Sequence, residues 1–184
     1  MLKYSVITIS VILNVTLLSI MIYDSDKAAI CKSYSRTDNG KPKYEETIEI
    51  EGEEFQRTFI EGKLNNEEIY YKTGQKKETR TYRNGQKDGD WIIYYKNNDP
   101  IITDLVIKKE TTYKRDQLVE EKQYYYNGAI KQLSLPESER IKIIINYYPN
   151  GLIKSEGKTI LTKTGNVAWY GSWLWYNEDA TIKK

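Results

Sequence analysis

The run Tyr148-Pro149-Asn150-Gly151-Leu152-Ile153-Lys154-Ser155-Glu156-Gly157-Lys158 decides the fold of this chain. An aromatic strand end meets Asn-Gly, and an apolar and basic strand leaves it. Asn-Gly occurs four times, at Asn39-Gly40, Asn84-Gly85, Asn127-Gly128 and Asn150-Gly151. In three of them a tyrosine (Tyr82, Tyr125 or Tyr148) stands two residues before the Asn. Looser copies fill the gaps: Tyr71-Lys72-Thr73-Gly74, Tyr95-Lys96-Asn97-Asn98 and Trp175-Tyr176-Asn177-Glu178-Asp179. Asn-Gly tolerates the two positive φ angles of a type I′ turn, whose twist matches that of paired strands. Each copy is therefore expected to be a β-hairpin tip, and the recurrence predicts a repeat architecture.

A second element also recurs. Gly89-Asp90-Trp91 is expected to begin a strand from Trp91 to Tyr95, and Gly171-Ser172-Trp173 a strand from Trp173 to Tyr176. Alternation puts Trp91, Ile93 and Tyr95 on one face, and Trp173 and Trp175 on one face. Rings of that size need cover that one hairpin cannot supply. Neighbouring repeats are expected to supply it, at roughly 1.5 to 3 kcal/mol per fully buried large side chain. Trp91, Trp173 and Trp175 are thus expected as repeat-core residues, with Gly89 and Gly171 clearing space for a close neighbour. Loss of either Trp91 or Trp173 is then expected to cost about 3 to 5 kcal/mol.

Gly-x-Trp, an aromatic strand, Tyr-x-Asn-Gly and a following Ile-Lys or Lys together resemble the bacterial variant of the MORN repeat, a group that includes YwqK-type antitoxins. The resemblance is closest over residues 82–95 and 147–182 and extends in weaker copies from about Tyr34 onward. It lapses over residues 100–123 and 134–140, where no clean Asn-Gly unit can be placed. It implies stacked hairpins more firmly than any one role, because structural positions define the repeat.

Composition removes whole classes of chemistry. The 184 residues contain no histidine, which excludes a His-based triad, a His general base and His-containing zinc sites. The single cysteine, Cys31, cannot form an internal disulfide. Seventeen tyrosines stand against two phenylalanines, a bias that suits a thin sheet whose rings lie half covered with their hydroxyls at water. Lysine and arginine are interleaved with glutamate and aspartate, so no basic stripe for nucleic acid exists.

The first residues differ in kind. After Lys3, residues 5–22 carry no charge, and Asp24, Asp26 and Lys27 restore polarity. As a helix this run would be about 27 Å long, near the thickness of a hydrocarbon core. Residues 1–23 are therefore expected to be a signal peptide or membrane anchor, with residues 24–33 a linker and 34–184 the repeat domain. Lys3 before the run and acids after it place the repeats on the exported side. Ala28-Ala29-Ile30-Cys31 resembles a lipoprotein site only in its small residues and cysteine; the bulky Ile30 and nearby charges fit poorly, and a plain linker thiol is the competing reading.

Four adjacent acidic pairs, Glu45-Glu46, Glu53-Glu54, Glu67-Glu68 and Glu120-Glu121, would point to opposite faces of a strand, unlike the facing carboxylates of a glycosidase. Ser155-Glu156-Gly157-Lys158 has Ser-x-x-Lys spacing but falls inside the repeat unit, after a turn rather than at a helix start. Lys87, Lys131 and Lys154 follow turns and would protect strand edges.

The expected fold is all-β: an elongated, single-layer array of antiparallel hairpins behind an N-terminal hydrophobic helix, with little helix after residue 24. The expected function is non-enzymatic. An exported or membrane-tethered module of the cell envelope, without cofactor or metal, would bind a protein partner through its repeat face, with Tyr82, Tyr95, Tyr125 and Tyr148 as a candidate contact ladder. The same rings could instead pack between repeats. An antitoxin or immunity protein for one toxin is the second reading, and a carboxylate-dependent cell-wall or carbohydrate hydrolase the third.

Overall fold

The computed structural model describes residues 9–10, 18–24, 27–97 and 105–183, with side chains from Lys32 onward. The chain divides into two compact units, Met1–Gly89 with Lys96–Asn98 and Asp90–Tyr95 with Asp99–Lys184. The first unit holds β1 (Ile9–Ser10), β2 (Leu18–Asp24), β3 (Lys27–Arg36), β4 (Pro42–Ile50), β5 (Glu53–Ile60), β6 (Lys63–Tyr70) and β7 (Lys76–Arg83), together with the start of β8 (Gln86–Tyr94). The second takes the rest of β8, then β9 (Ile107–Lys114), β10 (Gln117–Tyr124), β11 (Ile130–Pro136), β12 (Ile141–Tyr147), β13 (Ile153–Leu161) and β14 (Val167–Trp175).

Hydrogen-bonded neighbours are sequence neighbours throughout, the order expected of successive hairpins, and no helix occurs among the described residues. Most of the expected N-terminal helix, residues 1–8 and 11–17, lies outside the described residues. The end of the expected linker, residues 27–33, belongs to β3.

The turns differ from the expectation in a way that explains the repeat. Only Asn84-Gly85 among the four Asn-Gly pairs has both φ angles positive, +55° and +84°. At Asn39, Asn127 and Asn150 only the glycine does. There the amide of Gly128 donates to the Tyr125 carbonyl at 3.0 Å and that of Gly151 to Tyr148 at 2.9 Å, so the tip is a four-residue turn ending in a left-handed glycine. The asparagine acts through its side chain instead. Its Oδ1 accepts the amide two residues on, from Ala129 to Asn127 and from Leu152 to Asn150, both at 3.1 Å. Besides Asn84-Gly85, the type I′ pattern of paired positive φ falls on three tips that carry no Asn-Gly: Glu51-Gly52, Glu61-Gly62 and Arg115-Asp116.

The Gly-x-Trp elements are corrected as well. Gly89 and Gly171 do not precede strands but sit inside β8 and β14 with φ +102° and +70°. In β14 the pairing with β13 shifts at this point, between Glu156 and Lys158. Glycine permits the bulge, and the strand continues past it.

Little is deeply buried. Among the described residues only Ile69 (3% exposed) and Ile144 (8%) are buried hydrophobics, so cohesion comes from side chains paired across strands rather than from a closed core. In the first unit Tyr44 stacks on Phe59 at 4.4 Å. Beside that pair one cross-strand row reads Lys32, Glu46, Arg57, Glu67, Arg80, alternating in sign at every strand. At its centre Glu67 is 4% exposed and accepts from Arg57 Nε at 2.6 Å and Arg80 Nη1 at 2.8 Å. Burial opposes the Arg80 charge, but Glu78 and Glu67 outweigh it and hold the guanidinium pKa above its ordinary range.

Candidate functional site

The tip tyrosines of the second unit are stitched to one another. Tyr95 Oη donates to the Tyr124 carbonyl at 2.7 Å, Tyr125 to Tyr147 at 2.8 Å and Tyr148 to Tyr176 at 2.8 Å. Each acceptor stands just before the residue that opens the next turn. A lysine covers each ring: Lys131 lies 5.9 Å from the Tyr125 centroid and Lys154 5.7 Å from Tyr148, each six residues after its tyrosine. Lys77 stands in the same relation to Tyr71 in the first unit, at 5.6 Å. Tyrosine, Asn-Gly and the later lysine are thus one mechanical element, with the hydroxyl joined to the next tip and the ring capped by its own strand. Of the proposed contact ladder, Tyr95, Tyr125 and Tyr148 come together in this way, whereas Tyr82 belongs to the first unit and precedes the type I′ turn at Asn84-Gly85.

The expected core tryptophans are half-buried, each in its own setting. Trp91 meets the Tyr113 ring at 5.2 Å. Trp173 lies across Gly157, where an added Cβ would come within 2.4 Å of the indole, and its Nε1 donates to the Lys158 carbonyl at 3.0 Å. The space for the ring therefore comes from Gly157 on the neighbouring strand and not from Gly171, which has nothing within 4 Å of an added Cβ. Trp169, which the sequence reading did not single out, completes a cluster with Trp173 at 5.5 Å and Trp175 at 5.9 Å, and is 70% exposed.

Register divides the second unit into two unlike faces. One carries the tryptophans and a row of polar side chains, Gln123, Gln132, Asn146 and Ser155. Gln123 Nε2 donates to Gln132 Oε1 at 3.2 Å, Gln132 Nε2 to Asn146 Oδ1 at 2.8 Å, and Asn146 Nδ2 to Ser155 Oγ at 2.9 Å. Gln132 and Asn146, from the middle of this row, line a concavity of ≈ 550 Å³ with Trp169, Trp173 and Trp175. The other face is apolar: Leu133 opposes Ile145, Leu135 opposes Ile143, and Ile141 opposes Ile160. These six are half-exposed; Leu174 and Tyr170 on β14, each 46% exposed, lie on the same face beyond Glu156 and Lys158, which oppose Ile145 and Ile143. Charged groups rim it. Tyr124 donates to Glu110 at 2.7 Å, and burial followed by that carboxylate pushes the phenol well above its ordinary pKa. Tyr176 donates to Glu156 at 2.6 Å.

The adjacent acidic pairs separate as strand geometry requires. Glu67 joins the ionic row, and its neighbour Glu68 pairs with Lys76 at 2.9 Å. Glu121 pairs with Lys109 at 2.8 Å, and Glu120 bonds Lys122. No group of three metal-ligating side chains occurs among the described residues. No protein-family model matches the chain, and no curated protein matches it.

Proposed function

We propose that this chain is a non-enzymatic repeat module that binds a protein partner through the apolar face of its second unit, with residues 1–23 exporting it or tethering it to the cell envelope. One observation carries the reading. Leu133, Leu135, Ile141, Ile143, Ile145 and Ile160 form a continuous apolar surface with a charged rim, and each of the six is half-exposed, with no second layer among the described residues. A sheet face of that composition is stable against water only at a cost that a second layer removes. An apolar centre within a polar rim is also the anatomy of protein interfaces. The acidic pairs divided between opposite faces favour binding over carboxylate-dependent hydrolysis.

The resemblance to MORN-variant antitoxins makes one special case worth stating, in which the partner is a single toxin. It rests on residues 125–131 and 148–154, two copies of one unit with the same turn bonds, the same Asx contact and the same lysine over tyrosine. A toxin gene beside this one would favour it.

The test is capture from envelope extracts with the intact protein as bait, beside Ile143→Lys. A protein recovered by the parent and lost with the variant, at an unchanged melting temperature, supports the reading. Equal recovery by both proteins removes the apolar face from the proposal.

A further inference from the structure

The face opposite the apolar patch carries a different chemistry, and we infer that it is a binding site for a neutral carbohydrate chain, with Trp169, Trp173 and Trp175 as stacking platforms and Gln132 and Asn146 as hydroxyl readers. The inference goes beyond the protein-binding proposal and uses none of its residues.

The amides come first. A primary amide offers two N–H donors and an oxygen with two lone pairs. In the row Gln123, Gln132, Asn146, Ser155, each of the two central amides uses one donor and one lone pair on its neighbours. Gln132 and Asn146 therefore each keep one donor and one lone pair for a ligand, and their interlocking has already fixed their rotamers. A sugar hydroxyl is both donor and acceptor, and preorganised partners lose little entropy when they bind it.

The rings supply the complementary element. The Trp173 N–H is already bonded to Lys158 and its ring lies across Gly157, so it is held as a flat floor. Trp169 and Trp175 stand 5.5 and 6.1 Å from it, tilted by 33° and 32°. A pyranose presents a flat C–H face to such rings and hydroxyls around its edge, which matches indoles bordered by amides. A wholly apolar ligand would leave the spare amide groups desolvated and unpaired.

Charge selects among polar ligands. Glu121 and Glu139 are balanced by Arg140 and Lys142 along the concavity. Arg140 is already engaged by the Leu161 carbonyl at 2.7 Å, and Glu121 by Lys109. No net field favours a phosphate or a nucleic acid, so the fitting ligand is neutral. The volume of ≈ 550 Å³ lies within the range of small-ligand sites and suits a short run of sugar rings.

Tryptophan fluorescence of the intact protein, titrated with the N-acetylglucosamine hexamer and with cellohexaose, tests this. A saturable change with either sugar is expected. Trp169→Ala should abolish it without moving the melting temperature, because that ring is largely exposed, and Asn146→Ala should weaken it roughly tenfold. No saturation with either sugar at about 10 mM, a millimolar ceiling that amounts to no useful affinity, overturns the inference. So does a response to anionic phosphatidylglycerol vesicles alone, or a sugar response that survives Trp169→Ala. Ile143→Lys should leave the sugar response intact, which keeps this test separate from that of the protein partner.

Discussion

Each unit runs a row of polar side chains across its strands, and the two rows end in opposite states. In the first unit Lys32, Glu46, Arg57, Glu67 and Arg80 alternate in sign, and the buried carboxylate at the centre is held by guanidinium groups on both sides. In the second, the amides of Gln123, Gln132 and Asn146 pass hydrogen bonds in one direction and retain spare capacity along the whole row. Opposite charges satisfy each other and need no ligand, whereas interlocked amides with exposed indoles beside them do not. The same sheet geometry therefore makes a self-contained surface in one unit and an open one in the other.

Breaking the ionic row should produce the largest effect. Glu67→Ala leaves Arg57 and Arg80 facing each other without the carboxylate between them, and a loss of about 3 kcal/mol is expected. Gln132→Ala, at the matching place in the amide row, should cost about 1 kcal/mol, the net worth of an ordinary hydrogen bond. Urea unfolding of both variants measures the contrast. Equal losses would mean that the ionic row is no more committed to the fold than the amide row.

The fit of Trp173 on Gly157 is next in size. Gly157→Ala puts a methyl group where the indole ring lies, and overpacking of this kind costs about 1 to 3 kcal/mol. Gly171→Ala meets open space and pays only for its positive φ, about 1 kcal/mol. Denaturant midpoints should fall further for Gly157→Ala. The reverse order would return the space-making role to Gly171.

Tip stitching belongs to a smaller scale. Tyr148→Phe keeps the ring under Lys154 and deletes one hydroxyl donated to the Tyr176 carbonyl, so roughly 0.5 to 1.5 kcal/mol should be lost. Amide exchange should quicken around Asn177 and Thr181, which form the next turn. Unchanged exchange there would make the tyrosine bond incidental to the array.

The sequence reading and the structure part company at identifiable residues. Asn127-Gly128 and Asn150-Gly151 announce hairpins correctly, and counting outward from them pairs Gln123 with Gln132 and Asn146 with Ser155, as observed. The two pairs become one row only through the turn between β11 and β12, where Gln132 meets Asn146. That turn, around Glu137 and Ser138, has no Asn-Gly and relies on the Ser138 hydroxyl accepting the Ile141 amide at 3.1 Å. The hairpin at Arg115-Asp116 was hidden in the same way, because two non-glycine residues hold positive φ there. Alternation of apolar and polar positions in β12 could have shown that Ile141, Ile143 and Ile145 share a face. Nothing local could show that these side chains stay half-exposed, since that depends on what the other described strands pack against.

The smallest effect concerns a second ionic contact in the first unit, away from the main row. Burial pushes the Glu68 carboxyl up, but the Tyr70 hydroxyl and the Lys76 ammonium outweigh it, so its pKa lies below the ordinary carboxylate value. Lys76 is opposed by burial and raised on balance by Glu68. A depressed carboxylate adds stability that is complete above its unfolded pKa, about 4.3, and is lost as pH falls through the folded value. A raised ammonium adds stability that is complete below its unfolded pKa, about 10.4, and is lost as pH rises through the folded value. The advantage of the parent over Glu68→Gln should thus be flat near neutrality and shrink at both extremes. Both groups are partly exposed, so it should stay below about 1 kcal/mol. Salt should reduce it further, while the Glu67→Ala deficit, which arises at a buried carboxylate, should respond much less. An advantage that grew in acid would reverse the sign assigned to Glu68.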